Sequence, residues 1–329
     1  MTALAPTLQA FFTERLITQR QASPRTVTAY RDTLRLLLVF AQQRTGTPPS
    51  RLDVADLDTK LVTGFLSHLE RDRSNSVRTR NARLAAIHSL FRFASLRHPE
   101  HADSIARVLD IPAKRQDRPM ISYLTPDEVN ALLSAPDQSI WIGRRDHALL
   151  VLDVQTGLRA SELTALTISD IHLTDGPHVK CLGKGRKQRS TPLTRQTVTV
   201  LRAWVRERSG TPASPAFPTR QGHPLSVDAI QWLLAKHVMT AASSCPSLLA
   251  KRVSPHVLRH TCAMNLLRAG IDIATIALWL GHADIRATQA YLHADLSIKE
   301  RALTRTTPPN VALGRFKPTD SLLEFLEQL

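Results

Sequence analysis

Along most of this chain apolar residues recur every three or four positions, a spacing that predicts helices with one face buried. In TVTAYRDTLRLLLVFA, Val27, Tyr30, Leu34, Leu37, Leu38 and Ala41 fall on one stripe. TGTPPS, from Thr45 to Ser50, ends that helix. A second helix is expected around Leu61, Val62, Phe65, Leu66 and Leu69, and a third through Val77, Leu84, Ile87, Leu90, Phe91 and Ala94. Residues 7–111 therefore read as helices only. From Ile111 to Ser122, IPAKRQDRPMIS mixes prolines and charges without a period, as an extended linker does. The expected division is a helical domain over 1–112, a linker over 113–122 and a second domain over 123–329.

The second domain opens at YLTPDEVNALL, where Thr125 caps a helix, Pro126 sits in its first turn and Glu128 completes a capping box. HALLVLDVQTG reads as a buried helix stopped at Gly157. HVKCLGKGRKQRSTPL carries two strand-like runs around a Gly183–Gly185 turn, which predicts a β-hairpin. The proline-rich stretch 209–224 is a loop, and from Ser226 to Ala302 helical segments are punctuated at Gly270 and Gly281. The expected class is mainly α with a small β-sheet. A tail, about 304–329, is loose and then amphipathic. Its Leu322, Leu323, Phe325 and Leu326 are more apolar area than a free end should expose, so it is expected to dock, on a neighbouring protomer or on its own domain.

Charge changes the picture more than composition does. The chain has 43 Lys+Arg against 28 Asp+Glu, a net charge of +15. Positions 1–116 hold 18 basic and 10 acidic residues and the remainder 25 and 18, so both halves are basic. A polyphosphate partner, nucleic acid above all, suits such a surface because its counterions are released on binding. Arg71 to Arg97 contains seven arginines and a single acid, Asp72. That is either a solvated helix face or a helix lying against phosphates, with Arg78, Arg80 and Arg83 as the contacts. Cys181, Cys245 and Cys262 are odd in number and far apart, which implies no disulfide framework. With no signal peptide and no apolar run of membrane-spanning length, a cytoplasmic protein is expected.

Candidate chemistry lies in the second half. SPHVLRH places Ser254 as N-cap, Pro255 at the first helical position, and His256 and Arg259 three apart on one face. The free amides of a helix N-terminus favour a phosphate there. His256 and His260 also have the spacing of a zinc helix, but Val257 stands where a metalloprotease has its glutamate and no third ligand is evident. Arg159, after Gly157, is either a structural ion pair with Glu162 or a phosphate fork steered by that carboxylate. His282 follows an apolar helix in WLGHADI, and Tyr291 in QAYLHAD is either half-buried packing or part of the same chemistry.

TGLRASELTAL, GKGRKQRSTPL, PHVLRHTCAMNLLRAG and LGHADIRATQAYLHA, in that order, resemble the tyrosine recombinase (phage integrase) family, particularly its compact Xer-like members. SPRTVTAYRDTLRLLLVFA resembles that family's core-binding domain, so the likeness covers nearly the whole length. It implies a helical, SAM-like core-binding domain followed by an α+β catalytic domain. It also implies that Tyr291 is the nucleophile, that Arg159 and Arg259 bind the non-bridging oxygens of the scissile phosphate, and that His256 and His282 assist. Lys184 matches the lysine that protonates the leaving 5′ oxygen, with Lys187 as a neighbouring candidate. Lys187 and Arg189 of the hairpin are further expected DNA contacts.

Two guanidiniums suit two anionic oxygens geometrically. A phenol of pKa near about 10 needs positive surroundings or a base to attack at neutral pH, and His256 could be that base. Attack leaves a 3′-phosphotyrosine and a free 5′-hydroxyl, so rejoining needs no cofactor. The implied activity is site-specific cutting and rejoining of double-stranded DNA at core sites, by a homo- or hetero-tetramer on paired sites, with companion recombinases as potential partners and no membrane. Integration, excision or transposition of a mobile element is the expected role. The alternatives are Xer-type dimer resolution, a type IB topoisomerase and a catalytically silent DNA-binding regulator.

Overall fold

The computed structural model describes residues 4–116, 121–183, 188–282, 284–289 and 291. The expected tail, Lys184 and Lys187 therefore lie outside the described residues. The chain divides into two compact units, Met1–Arg118 and Pro119–Leu329. Among the described residues no helix is long and apolar enough to cross a membrane.

In the first unit, helix α1 (Leu4–Ala10) runs into a π-helical segment, Phe11–Gln19. The wider turn places Phe11 and Leu16, five apart, together in the core. Helix α2 (Pro24–Thr45) begins at Ser23, whose hydroxyl accepts from the Thr26 amide, and ends at Gly46 in the left-handed conformation. Helices α3 (Thr59–Arg71) and α4 (Val77–Ala94) are capped in the same way by Asp58 and Ser76. The predicted stripes pack face to face: Leu34, Leu37 and Ala41 meet Val62, Phe65 and Leu66 as well as Leu84, Ile87 and Phe91 in one core. Helix α5 (Ala102–Leu109) closes that core with Ile105 and Val108.

The stretch expected to be an extended linker is anchored where it leaves this unit. Arg80 donates to the Pro112 carbonyl, and the Asn81 side chain holds both the carbonyl and the amide of Lys114. Across the boundary, the Leu124 amide donates to Thr261 within the second unit. The proline-and-charge composition signalled irregular backbone, but it did not signal these side-chain ties.

The second unit is built around helix α7 (Trp141–Thr156), whose Leu149, Leu150 and Leu152 are buried. It is packed by α6 (Pro126–Ser134), α9 (Arg195–Arg208), α10 (Val227–Ala241) and α11 (Pro255–Arg268). The Thr125–Glu128 capping box forms as read, and the Glu128 carboxylate also takes Lys251 at 2.6 Å and Ser247 at 2.7 Å. The hairpin is the larger part of a three-stranded antiparallel sheet. Strand β1 (Ile171–His172) pairs with β2 (His178–Leu182), which pairs with β3 (Gln188–Pro192). A two-residue strand carries no alternation to read, which is why β1 escaped notice. Short helices α8 (Ala160–Ala165), α12 (Ile273–Leu280) and α13 (Arg286–Gln289) are the other α-helices among the described residues of the unit.

A buried polar trio ties α7 to α10. Asp146 accepts both Nε and Nη2 of Arg145 through one oxygen and meets His237 Nε2 at 2.9 Å through the other.

Gly143, in the first turn of α7, has no room for a side chain: a Cβ there would lie 1.8 Å from the carbonyl oxygen of Asp137. The obstacle is backbone, held in its own turn by the Ile140 amide, so relief requires moving main chain. All four tryptophans (141, 204, 232 and 279) lie in the second unit, so their fluorescence reports its unfolding alone. We predict that Gly143→Ala lowers the stability of this unit by roughly 1–3 kcal/mol or more in urea titrations followed by tryptophan emission. An unchanged midpoint would refute this packing.

Candidate active site

Helix α7 ends at Gly157, whose φ of +61° is left-handed. A side chain at this position would also put its Cβ 2.9 Å from Leu280 Cδ2 and 3.1 Å from Cys262 Cβ. The turn delivers Arg159 as the residue before α8, in extended conformation. Its amide donates to Glu162 Oε2 at 2.8 Å and its Nη1 to Oε1 at 2.7 Å, while Nη2 reaches the Gly281 carbonyl at 3.0 Å. The sequence left open an ion pair or a phosphate fork. Arg159 makes the pair, and its side chain keeps 31% of its surface exposed.

Arg259 comes from the second turn of α11 and is buried. Its Nη1 donates to the Gly157 carbonyl at 2.7 Å and its Nη2 to the Leu280 carbonyl at 2.6 Å. Both carbonyls belong to helix C-terminal ends, where unpaired oxygens and the helix dipole favour a cation. Burial, with Arg159 nearby, still brings the Arg259 guanidinium down to about 10, so it remains charged at neutral pH.

Glu162 is the counter-charge. Burial alone would raise its carboxyl. Hydrogen bonds from Arg189, from the Arg159 amide and from the Arg159 side chain overcome that and bring it down to about 2. Deeper in, Asp153 is fully buried and pushed up to about 8 by burial, so it is mostly protonated at neutral pH and leaves Glu162 as the ionised partner.

Two residues expected as DNA contacts, Arg189 and Arg80, are turned into the protein. Arg189 reaches inward: Nη1 and Nη2 form a fork on the two oxygens of Glu162 at 2.9 and 2.8 Å, and Nε donates to the Trp279 carbonyl. Its guanidinium is committed to the protein and 88% of its side-chain surface is covered, the exposed share being 12%. Arg80 is likewise buried, at 5% exposure, and donates to Asn81 and the Pro112 carbonyl. Net charge identifies a basic segment but not which of its arginines points to solvent. Arg78 is exposed on α4 and Arg83 is partly buried.

The aromatic residues meet near Arg259. Tyr291 is 2% exposed, and its hydroxyl lies 3.0 Å from His260 Nδ1. Its ring stacks on His282 at 6.4 Å between centroids and meets His260 edge-on at 5.4 Å. His256, exposed at the start of α11, packs edge-to-face on His260 at 4.2 Å. His282 Nδ1 lies 2.6 Å from the buried Thr288 hydroxyl. Burial, then the charges of Arg259 and Arg159, lowers His282 to about 4; burial, then His256, Arg259 and His282, does the same to His260. Burial raises Tyr291 to about 12. At neutral pH the phenol is therefore protonated and these two imidazoles are neutral.

Arg159, Arg259, His256, His282 and Tyr291 are thus brought to one locality. His260 and Thr288 belong to the same cluster and were missed as site residues. For His260 the available signal was its i+4 spacing from His256, which puts both on one helix face. That spacing suggested only a metal.

Residues 122–297 match the phage integrase family, and residues 10–98 match the phage integrase N-terminal SAM-like domain. A putative integrase/recombinase (y4rC) of Sinorhizobium fredii is 51% identical over 327 residues, which is 99% of this chain and 98% of the relative. Tyrosine recombinase XerC of Xanthomonas campestris is 35% identical over 284 residues, 86% of this chain and 83% of the relative. Among solved structures, the Tn1549 transposon integrase in complex with a circular intermediate DNA superposes with a TM-score of 0.69 at 18% identity, over 91% of this chain and 99% of that one. The XerH site-specific recombinase in a post-cleavage complex gives 0.67 at 21% identity, over 87% and 81%. At such identities these two establish the shared fold.

Glu162 has a depressed folded pKa, so its contribution to stability is complete above about 4.5 and is lost as pH falls towards about 2. We predict that Glu162→Gln, which leaves two guanidiniums without their counter-charge, destabilises the second unit by about 3–5 kcal/mol at neutral pH. The variant's disadvantage shrinks as pH is lowered through that window. Tryptophan-monitored urea titrations at pH 3 to 7 check both, and an undiminished gap at low pH would show the carboxylate was never ionised.

Proposed function

Since the chain belongs to the phage integrase family of tyrosine recombinases, we propose that Tyr291 attacks a scissile DNA phosphodiester held by Arg159 and Arg259. The enzyme is a site-specific recombinase, a DNA strand transferase. What carries the residue assignment is the convergence of two guanidiniums, His282 and a phenol at the junction of α7, α11 and α12.

A phosphodiester resists nucleophiles because its non-bridging oxygens are anionic. Phosphoryl transfer is therefore catalysed mainly by positioning and charge stabilisation. Arg159 and Arg259 supply two forks, each able to exchange a backbone carbonyl for a phosphate oxygen. With the Thr288 hydroxyl donating to Nδ1, His282 carries its proton on Nε2 and offers that N–H to a non-bridging oxygen. His256, exposed at the helix start, contributes a further contact. Lys184 protonates the leaving 5′ oxygen.

The product is a 3′-phosphotyrosine and a 5′-hydroxyl, which conserve the bond energy for rejoining. DNA is the partner, with Arg78 and Arg83 of the first unit as backbone contacts. Assembly is a tetramer on two paired sites, of identical chains or with companion recombinases. The biological role is integration, excision or transposition of a mobile element. Supporting this over dimer resolution is the 51% identity, over nearly the whole length, to a protein named integrase/recombinase, against 35% to XerC.

The test uses a pool of nicked duplexes of randomised sequence, in which cleavage beside the nick releases a short strand and traps the covalent adduct. Wild type is expected to yield a protein–DNA adduct on denaturing gels, with a recoverable preferred sequence. Tyr291→Phe is expected to yield none. Arg259→Ala should slow adduct formation by roughly 100- to 1,000-fold, the usual loss for one oxyanion donor. An adduct that survives Tyr291→Phe would remove the nucleophile assignment.

A further inference from the structure

We propose that His260 is the proton acceptor for Tyr291 in strand cleavage, and the donor that returns this proton when strands are rejoined. The inference rests on the reading of Tyr291 as nucleophile and assigns its base.

His260 is the residue whose ring nitrogen holds the phenol, with Nδ1 3.0 Å from the hydroxyl oxygen. A general base must stand within hydrogen-bond reach of the proton it removes, and this separation meets that requirement before any movement. The edge-on rings, at 69° and 5.4 Å, let the imidazole approach the phenol oxygen without competing with His282 for the face of the tyrosine. His260 projects from the same helix as Arg259, so the base and a phosphate-binding fork share one rigid support. His256, one turn earlier, is packed against His260 on its exposed side.

The charges around the pair define when transfer occurs. His256 and Arg259 face His260 from α11, and His282 and Tyr291 face it from the segment after α12. Burial, reinforced by the charge of Arg259, keeps His260 neutral, so Nδ1 can accept, while burial keeps the phenol protonated. In this state the proton stays on oxygen and the nucleophile is off. A bound phosphodiester brings negative charge beside the same arginines and weakens the field opposing an imidazolium. As the phenol oxygen bonds to phosphorus, the bond from phosphorus to the 5′ oxygen breaks. The phenolic proton passes to Nδ1, and the 5′ oxygen takes its proton from the leaving-group acid. Rejoining reverses each transfer.

The probe is the nicked duplex recovered from the randomised pool with wild-type protein. If no such duplex is recovered, the recombinase assignment of the site fails before this proposal is reached. With it, His260→Gln and His260→Asn are expected to form adduct at least about 100-fold more slowly at pH 7, the usual range for a lost general base. Their rates should climb with pH towards wild type, as hydroxide replaces the missing base. A duplex with sulfur in place of the leaving 5′ oxygen needs no acid. It should leave both variants defective, because the loss is on the nucleophile's side. Rescue by that sulfur duplex, or adduct rates within about threefold of wild type across the pH range, would overturn the proposal. A second measurement uses wild type alone: nitrogen-15 imidazole spectra should show an unprotonated Nδ1 on His260 at pH 7 that shifts in Tyr291→Phe. A proton resident on Nδ1 would overturn the assignment even if neither variant folds.

Discussion

Three arginines cannot share a buried corner unless something negative lies among them, and Glu162 is that charge. Its two oxygens receive the Arg189 fork, the Arg159 side chain and the Arg159 amide. The pairing fixes more than two side chains. Arg189 belongs to β3, Arg159 precedes α8, and Arg189 also reaches the end of α12 through Trp279. One carboxylate therefore draws the sheet, the turn after α7 and the approach to the last helices to a single point. Gly281 sits at that point in the left-handed conformation, φ +63°, and a Cβ there would also lie 2.9 Å from Arg189 Nη1.

Much of this was legible in the residues. Helices α2, α3 and α4 followed from the apolar period, and the end of α2 from the TGTPPS break. The capping box at Thr125 and the stop at Gly157 were readable because a cap is a local interaction. What escaped was non-local. Whether Arg80 or Arg189 faces solvent depends on partners 32 and 27 residues away, and His260 meets Tyr291 across 31. Motif order assembled the cluster of candidate residues. It did not reveal which histidine touches the phenol, since His256 and His260 lie on one face of one helix.

The site as folded is a neutral aromatic cluster beside a charged one. Burial holds Tyr291 at about 12 against the pull of Arg259, and burial together with arginine charge holds His260 and His282 at about 4. Several buried polar groups of the centre have internal partners: Thr288 for His282, His260 for the phenol, helix-end carbonyls for Arg259. This arrangement makes the unliganded centre stable in its own right, and it makes activation a matter of changing the local field.

The two carbonyls on Arg259 carry one more consequence. A guanidinium open to solvent would be occupied much of the time by whichever small anions are abundant. Here an incoming anion must displace the Gly157 and Leu280 oxygens, at 2.7 and 2.6 Å, and leave two helix ends without their cation. A free phosphate ion can at best replace the two contacts on the guanidinium, and it leaves the two helix-end oxygens unpaired. A phosphate embedded in a long polymer brings many distant contacts along its backbone to offset that exchange. Under the proposed assignment of Arg259 to a DNA phosphate, its internal hydrogen bonds act as a selectivity threshold that favours a long polymer over a single small anion.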